Sequence, residues 1–418
     1  WFPSAAAGWV LSKEGFFTRN RSLRFIDMMK LRFSFGSTGN DAIDGWQWLP
    51  QYNIKDNTFY LGDPGTAAPR LAYGGIPNPG ITWEKSNSYN AGIDLVLLQK
   101  LTLTAEFWKR HTYDILGKRI LALPGEFGGS LPAVNYGKVD SKGFEVELGY
   151  SNRIGRDLTY NIKGNIGLAT TKVILKDVAA NTQPVNDPNG KPLSYETGLQ
   201  ATGLFRSQKD LDNLPAGYTI YGAKPELGMM NFADKSGPEG KPDGKIDDYD
   251  KIVLGNYFGS NNAPLSFGML ISLSYKGFSA DMLFAGLSGY KLTYNDAWGR
   301  NFGGGGKIPL YHADSWSEQN PDGTTPRLYP WGDNRATYTY ASTFNTYNSS
   351  FIRMKYLNLG YNLPAAWMHS MHLGGIRVFA SATNLFTLSK FKFYDPEVFQ
   401  FMSYPVMKSY SLGVNVQL

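Results

Sequence analysis

The sequence predicts an all-β chain, a transmembrane antiparallel β-barrel, on three observations. Long stretches alternate between apolar and polar residues, the composition is rich in glycine and aromatic rings but poor in charge, and short turns contrast with long connections. The alternation is clearest where Leu265, Phe267, Met269, Ile271, Leu273 and Tyr275 interleave with Ser266, Gly268, Leu270, Ser272 and Ser274. Successive side chains of a strand point to opposite faces, so such a stretch has one apolar and one mostly small, polar face. Lys276-Gly277 then makes a turn, and Phe278, Ala280, Met282 and Phe284 resume the pattern, which reads as a hairpin.

The composition narrows the class. The chain has 418 residues with 47 Gly, 25 Phe, 26 Tyr and 10 Trp, and only 18% are charged, against roughly 25% in soluble domains. Disorder requires the opposite balance. With no cysteine, disulfide scaffolds and thiolate zinc sites are excluded. No apolar run reaches the about 18 residues of a membrane helix, and mean hydropathy is −0.31. The net charge of +6 comes from scattered residues without a basic block, so nucleic acid is not an expected partner.

Other strands follow the same rule in order along the chain. Tyr89, Ala91, Ile93, Leu95 and Leu97 alternate with polar residues and are returned by Leu101, Leu103, Ala105 and Phe107. Phe144, Val146, Leu148 and Tyr150 form another, turned near Ile154-Gly155 and returned by Leu158, Tyr160 and Ile162 towards Leu168. Tyr410, Leu412, Val414, Val416 and Leu418 alternate to the end. Such lengths match membrane strands, which need roughly 9–11 residues, better than soluble ones of about five or six. Tyr150, Tyr275 and Tyr290 stand near strand ends, where interfacial girdles lie. Glu145, Glu147 and Lys163 fall on the polar face and are expected in the lumen. Long connections are expected at about 55–80, 117–142, 177–262 and 293–347. A soluble sandwich would need an apolar second face, which these strands lack.

Several stretches in order resemble the SusC/RagA-type TonB-dependent outer-membrane transporters of Bacteroidota. They are Trp1-Phe2-Pro3-Ser4-Ala5 with Gly8-Trp9, then Lys30-Leu31-Arg32 with Gly36-Ser37-Thr38-Gly39-Asn40, then Ile81-Thr82-Trp83-Glu84-Lys85-Ser86 with Gly92-Ile93-Asp94. Asn135-Tyr136-Gly137, Gly143-Phe144-Glu145-Val146-Glu147, and Asp243-Gly244-Lys245-Ile246-Asp247 with Leu254-Gly255-Asn256 follow. The last are Phe351-Ile352-Arg353-Met354-Lys355, Leu359-Gly360-Tyr361-Asn362-Leu363-Pro364, Ala382-Thr383-Asn384-Leu385-Phe386 and Tyr394-Asp395-Pro396-Glu397-Val398. The resemblance implies a barrel of about 22 strands, of which this chain is the C-terminal part. The plug domain and first strands would then lie outside residues 1–418. Leu418 departs from the aromatic residue that usually ends the family.

What the resemblance implies for function is import. A SusD-like surface lipoprotein caps the barrel and delivers an oligosaccharide or oligopeptide. The TonB–ExbB–ExbD system acts through the N-terminal part, the wall faces outer-membrane lipid and lipopolysaccharide, and the C-terminus is periplasmic. The alternative is a non-transporting structural subunit among the other subunits of an outer-membrane secretion or assembly machine.

The residues themselves offer one metal motif. Asp243, Gly244, Lys245, Asp247 and Asp250 match the second half of an EF-hand-like loop, with Lys245 contributing its carbonyl and Gly244 the sharp turn. Asp234, across an inserted Ser236–Gly240 segment, is the candidate for the missing first carboxylate, so the motif reads either as a structural Ca²⁺ site or as a solvated acidic turn, and no cofactor is required. His369 and His372 have zinc spacing but no carboxylate nearby, and His111 and His312 are isolated. No Gly-x-Ser-x-Gly elbow is present, and Gly303 to Gly306 lacks the Lys-Ser/Thr of a phosphate loop, so no enzyme is expected. Two loop clusters, Trp46, Trp48 and Tyr52, and Tyr311, Trp316, Tyr329 and Trp331, are candidates for contact with substrate or lid.

Overall fold

The computed structural model describes residues 1–43, 45–119, 131–294, 310–330, 332–370, 372–398, 404 and 406–418. Its frame is a 12-stranded sheet. In chain order the strands are β1 (Ser4–Val10), β2 (Ile26–Asn40), β3 (Glu84–Leu97), β4 (Leu101–Lys118), β5 (Ala133–Ile154) and β6 (Leu158–Leu175). They continue as β7 (Leu265–Tyr275), β8 (Phe278–Ser288), β9 (Phe351–Asn362), β10 (Gly375–Thr383), β11 (Thr387–Ser389) and β12 (Ser409–Gln417). Each strand pairs with the next antiparallel, except that β11 pairs with β9, and β10 pairs with β12. Among the described residues β1 and β12 each pair on one side only, so the meander is open.

The registers carry the alternation across strands. Leu103, Ala105 and Phe107 stand opposite Leu148, Val146 and Phe144, while Thr104 and Glu106 stand opposite Glu147 and Glu145. Ile162 and Ile166 then meet Ile271 and Phe267. One face is therefore a continuous apolar band, and its large side chains are exposed: Phe107 by 54%, Phe278 by 59% and Leu412 by 88%. An exposed apolar surface of this extent is matched to lipid rather than water. No helix among the described residues is long and apolar enough to cross a membrane.

The two ends of the sheet differ. Residues 98–100, 155–157 and 276–277 turn tightly at one end. The short helix Ala365–Ser370 and Gln417, whose carbonyl accepts from Gly374, lie at that same end. Lys276 and Gly277 take the turn at φ 45° and 88°, a conformation for which glycine has no steric penalty. The opposite end carries the long connections, and the structure redraws them. The 55–80 region contains a hairpin, Gln51–Leu61 with Thr66–Gly75. The 117–142 region shrinks to 119–132, because β4 and β5 extend beyond their apolar segments as paired polar strands.

The buried core lies in these connections. Leu199, Phe205, Ile220, Met229, Met230, Phe232 and Ile246 of one connection pack with Tyr294, Tyr329, Ala336 and Tyr338 of another. Backbone bonds lock the two together: Leu199 N donates to Ala341 O at 2.9 Å, and Thr343 N to Leu199 O at 3.0 Å. Tyr290 belongs to an adjoining core at 1% exposure, not to an interfacial girdle. Its hydroxyl donates to Pro396 O at 2.6 Å, a satisfied partner that draws the ring inward.

Candidate functional site

The acidic motif folds as a tight turn. Gly244 takes φ +78°, and its N–H donates to Asp234 Oδ2 at 2.8 Å, closing the inserted segment back on the turn. Asp243 Oδ1 accepts from Lys245 N at 3.0 Å and Asp247 Oδ1 from Tyr249 N at 2.8 Å. Asp250 is fully buried; its carboxylate accepts from Lys235 N at 2.6 Å, Ser236 N at 3.1 Å and Asp247 N at 2.8 Å. Burial pushes the Asp250 carboxyl above the usual range, the three N–H groups oppose this, and Asp234 adds to the rise. Asp234 Oδ1 is buried without a hydrogen-bond partner. Thus Asp234, Asp243, Lys245, Asp247 and Asp250 come together in one loop, although among the described residues no three acidic or His side chains form a ready metal cage.

The aromatic candidates separate. Trp46, Trp48 and Tyr52 are exposed by 68%, 51% and 61% beside the 51–75 hairpin. Trp316 and Tyr329 are buried, at 4% and 3%, so their ring faces are packed inside the loop layer. The Tyr311 side chain, Trp331 and Gly303 to Gly306 lie outside the described residues. His369 and His372 flank the end of the short helix, and His372 N donates to His369 O. His111 bonds Asp140 through Nδ1, and buried His312 is pushed down to about 4 by desolvation, which keeps it neutral.

The polar face of the sheet is charged. Arg32 bridges Asp94 at 2.9 Å and Glu106 at 3.2 Å across three strands, and Asn90 also donates to Glu106. Glu145 and Glu147 lie on this face, exposed, at a polar cavity of about 430 Å³ lined also by Thr104, Glu106, Asn165 and Ser266. Lys163 stands on the neighbouring strand, in register with Gly149.

A second charged group joins two motifs that stand apart in sequence. Arg353, 1% exposed, holds Asp395 through both carboxylate oxygens at 2.6 and 2.7 Å, Glu397 at 2.8 Å and Thr387 Oγ1 at 2.8 Å. Lys355 Nζ reaches Glu397 at 2.6 Å, and Ser260 Oγ donates to Glu397 O at 2.9 Å. Neither segment alone shows that its charges are partners around a buried arginine; the only sequence signal is that each carries isolated charges amid apolar residues. In the loop layer Lys191 plays a similar part. Its ammonium donates to three carbonyls, Pro184 O at 2.7 Å, Val185 O at 2.8 Å and Asp187 O at 2.5 Å, satisfying all three of its donors.

An open antiparallel meander with a lipid-suited face, a charged polar face and folded connections at one end defines part of a transmembrane β-barrel of the outer-membrane kind. Known proteins make this specific. A TonB-dependent receptor of Formosa agariphila is 27% identical over 449 aligned residues, spanning 99% of this chain and 42% of that protein. The TonB-dependent receptor SusC of Bacteroides thetaiotaomicron is 26% identical over 100% of this chain and 40% of its own length. Among solved structures, the RagAB peptide importer in its open-open state superposes with a TM-score of 0.74 at 20% identity, over 100% of this chain and 43% of that one. No protein-family model matches. The fold is therefore that of the TonB-dependent transporter barrel, present in part, and the resemblance to the SusC/RagA type holds along the whole chain. The chain spans about two fifths of the length of the curated relatives it matches.

Proposed function

We propose that this chain supplies wall and external loops to a SusC-like importer that brings oligosaccharides or oligopeptides across the bacterial outer membrane. A SusD-like surface lipoprotein closes the long-loop end, the short-turn end and the C-terminus face the periplasm, and TonB–ExbB–ExbD drives opening through the rest of the protein. What supports the reading is the similarity to part of SusC along the whole of this chain, joined to a sheet with one lipid-suited and one charged polar face. Deleting the gene in its own organism should abolish growth on the cognate oligosaccharide or peptide, and the tagged receptor should co-purify with one SusD-like lipoprotein. Undiminished growth on every such nutrient, with several unrelated lipoproteins co-purifying, would replace this reading by that of a structural subunit in a larger machine.

The same reading includes a structural Ca²⁺ held by Asp234, Asp243, the Lys245 carbonyl, Asp247 and Asp250. The buried, unpartnered Asp234 Oδ1 beside buried Asp250 supports it, since two neighbouring carboxylates in a dry site are stabilised by a hard cation. Limited proteolysis within 234–250 should accelerate severalfold in chelator and recover with added Ca²⁺. Identical cleavage under both conditions overturns the site.

A further inference from the structure

Tyr329 lies beside two guanidinium groups, and only one of them is paired. Arg335, 5.1 Å from the centre of the ring, holds Asp333 at 2.6 Å and Glu226 at 3.0 Å. Arg327 lies 5.9 Å from the same ring centre and 6.0 Å from that of Trp316. It is half-buried, and among the described residues its guanidinium has neither a carboxylate partner nor a hydrogen-bond acceptor. The two carboxylates that act on Tyr329, Glu226 and Asp333, are held by Arg335. Two further polar groups share this condition: Trp316 Nε1 and Tyr329 Oη are buried without a hydrogen-bond partner.

The arrangement is an excess of donors around one cation. A guanidinium withdrawn from water is destabilised unless an anion compensates it, and its planar fork matches a carboxylate in two parallel hydrogen bonds. The faces of the two rings, at about 6 Å, offset part of that cost. The backbone is also set in advance. Arg327 N donates to Gly228 O at 2.9 Å, and Trp316 N to Thr325 O at 2.8 Å. Gly228 takes φ +82°, and a Cβ there would stand 2.2 Å from the Trp316 ring, so only glycine lets the indole close over this turn.

We propose that Arg327, with Trp316 and Tyr329 beside it, forms a carboxylate-binding site in the loop layer that reads an acidic group on the transported molecule. The carboxylate is that of a peptide or of a uronic acid. Assigning it to cargo rests on the uptake reading; binding of the carboxylate does not.

The test is calorimetric titration of the full-length receptor in detergent with N-acetyl-dialanine, its C-terminal amide, galacturonate and galactose. An acid should bind at least roughly tenfold more tightly than its neutral counterpart, as a charge-assisted bidentate pair requires. Preference for the acetyl dipeptide alone assigns a peptide, for galacturonate alone a uronate, and for both the carboxylate as such. Arg327→Gln should erase the preference, and Trp316→Phe, which keeps a ring and loses the N–H, should weaken it severalfold. If Arg327→Gln fails to fold, Arg327→Lys keeps the charge without the fork and should also lose most of the preference. Equal binding of acids and neutral analogues by the wild type, or an unchanged preference in a folded Arg327 variant, overturns the site. Retained uptake alongside that result would leave the importer reading standing.

Discussion

Replacing Arg353 by methionine should destabilise the folded chain by about 3–5 kcal/mol, the usual cost of removing one partner from a buried ion pair. Asp395 would lose its cationic partner and Glu397 would keep only Lys355. The loss should appear first in the 384–408 connection, because Arg353 ties that segment to β9 while Tyr290 and Ser260 hold it from the other side. Protease should cut there well before the barrel melts. Lys355→Met, removing a partly exposed ammonium, should cost markedly less. Equal resistance of the Arg353 variant and wild type would show that the cluster does not hold this segment.

Met269→Arg should be the second severe change, at about 2–4 kcal/mol, the cost of a charge near the middle of the lipid-facing surface. Met269 lies near the centre of β7, 40% exposed, opposite Phe284 and Gly164 on the apolar face. Ser272→Arg, three residues on, should be nearly neutral. Ser272 lies on the opposite face, where its hydroxyl bonds Asp281 at 2.7 Å, and an arginine there gains a carboxylate. Denaturant titration of the full-length protein in lipid vesicles measures both. A small loss for Met269→Arg, equal to that for Ser272→Arg, would contradict a lipid-facing band.

The barrel strands were legible because lipid on one side and water on the other write period-2 alternation into the residues. Where that contrast ends, so does the signal. The 51–75 hairpin interrupts its alternation with Lys55, Asp56 and Asn57, and the outer part of β5, from Ala133 to Lys142, mixes polar and apolar residues on both faces, so each reads as a loop. The core of the loop layer was hidden for a different reason. Leu199, Phe205, Met229 and Tyr338 follow no period; they converge only because two distant connections fold against each other. The acidic loop was readable, since Asp and Gly at fixed offsets dictate a turn. Arg327 was not, because a lone arginine among Pro, Gly and Thr carries no pattern until Trp316 and Tyr329 are placed around it.

The shared core of the loop layer bears on how such a protein diversifies. Leu199 and Phe205 stand on one connection and Tyr329 and Tyr338 on the other, yet they are neighbours. A recombination event that imports one connection from a relative strands half of that core against a foreign surface. The two connections are therefore inherited soundly only as a pair, and the strands β7 and β8 between them are carried along as their linker.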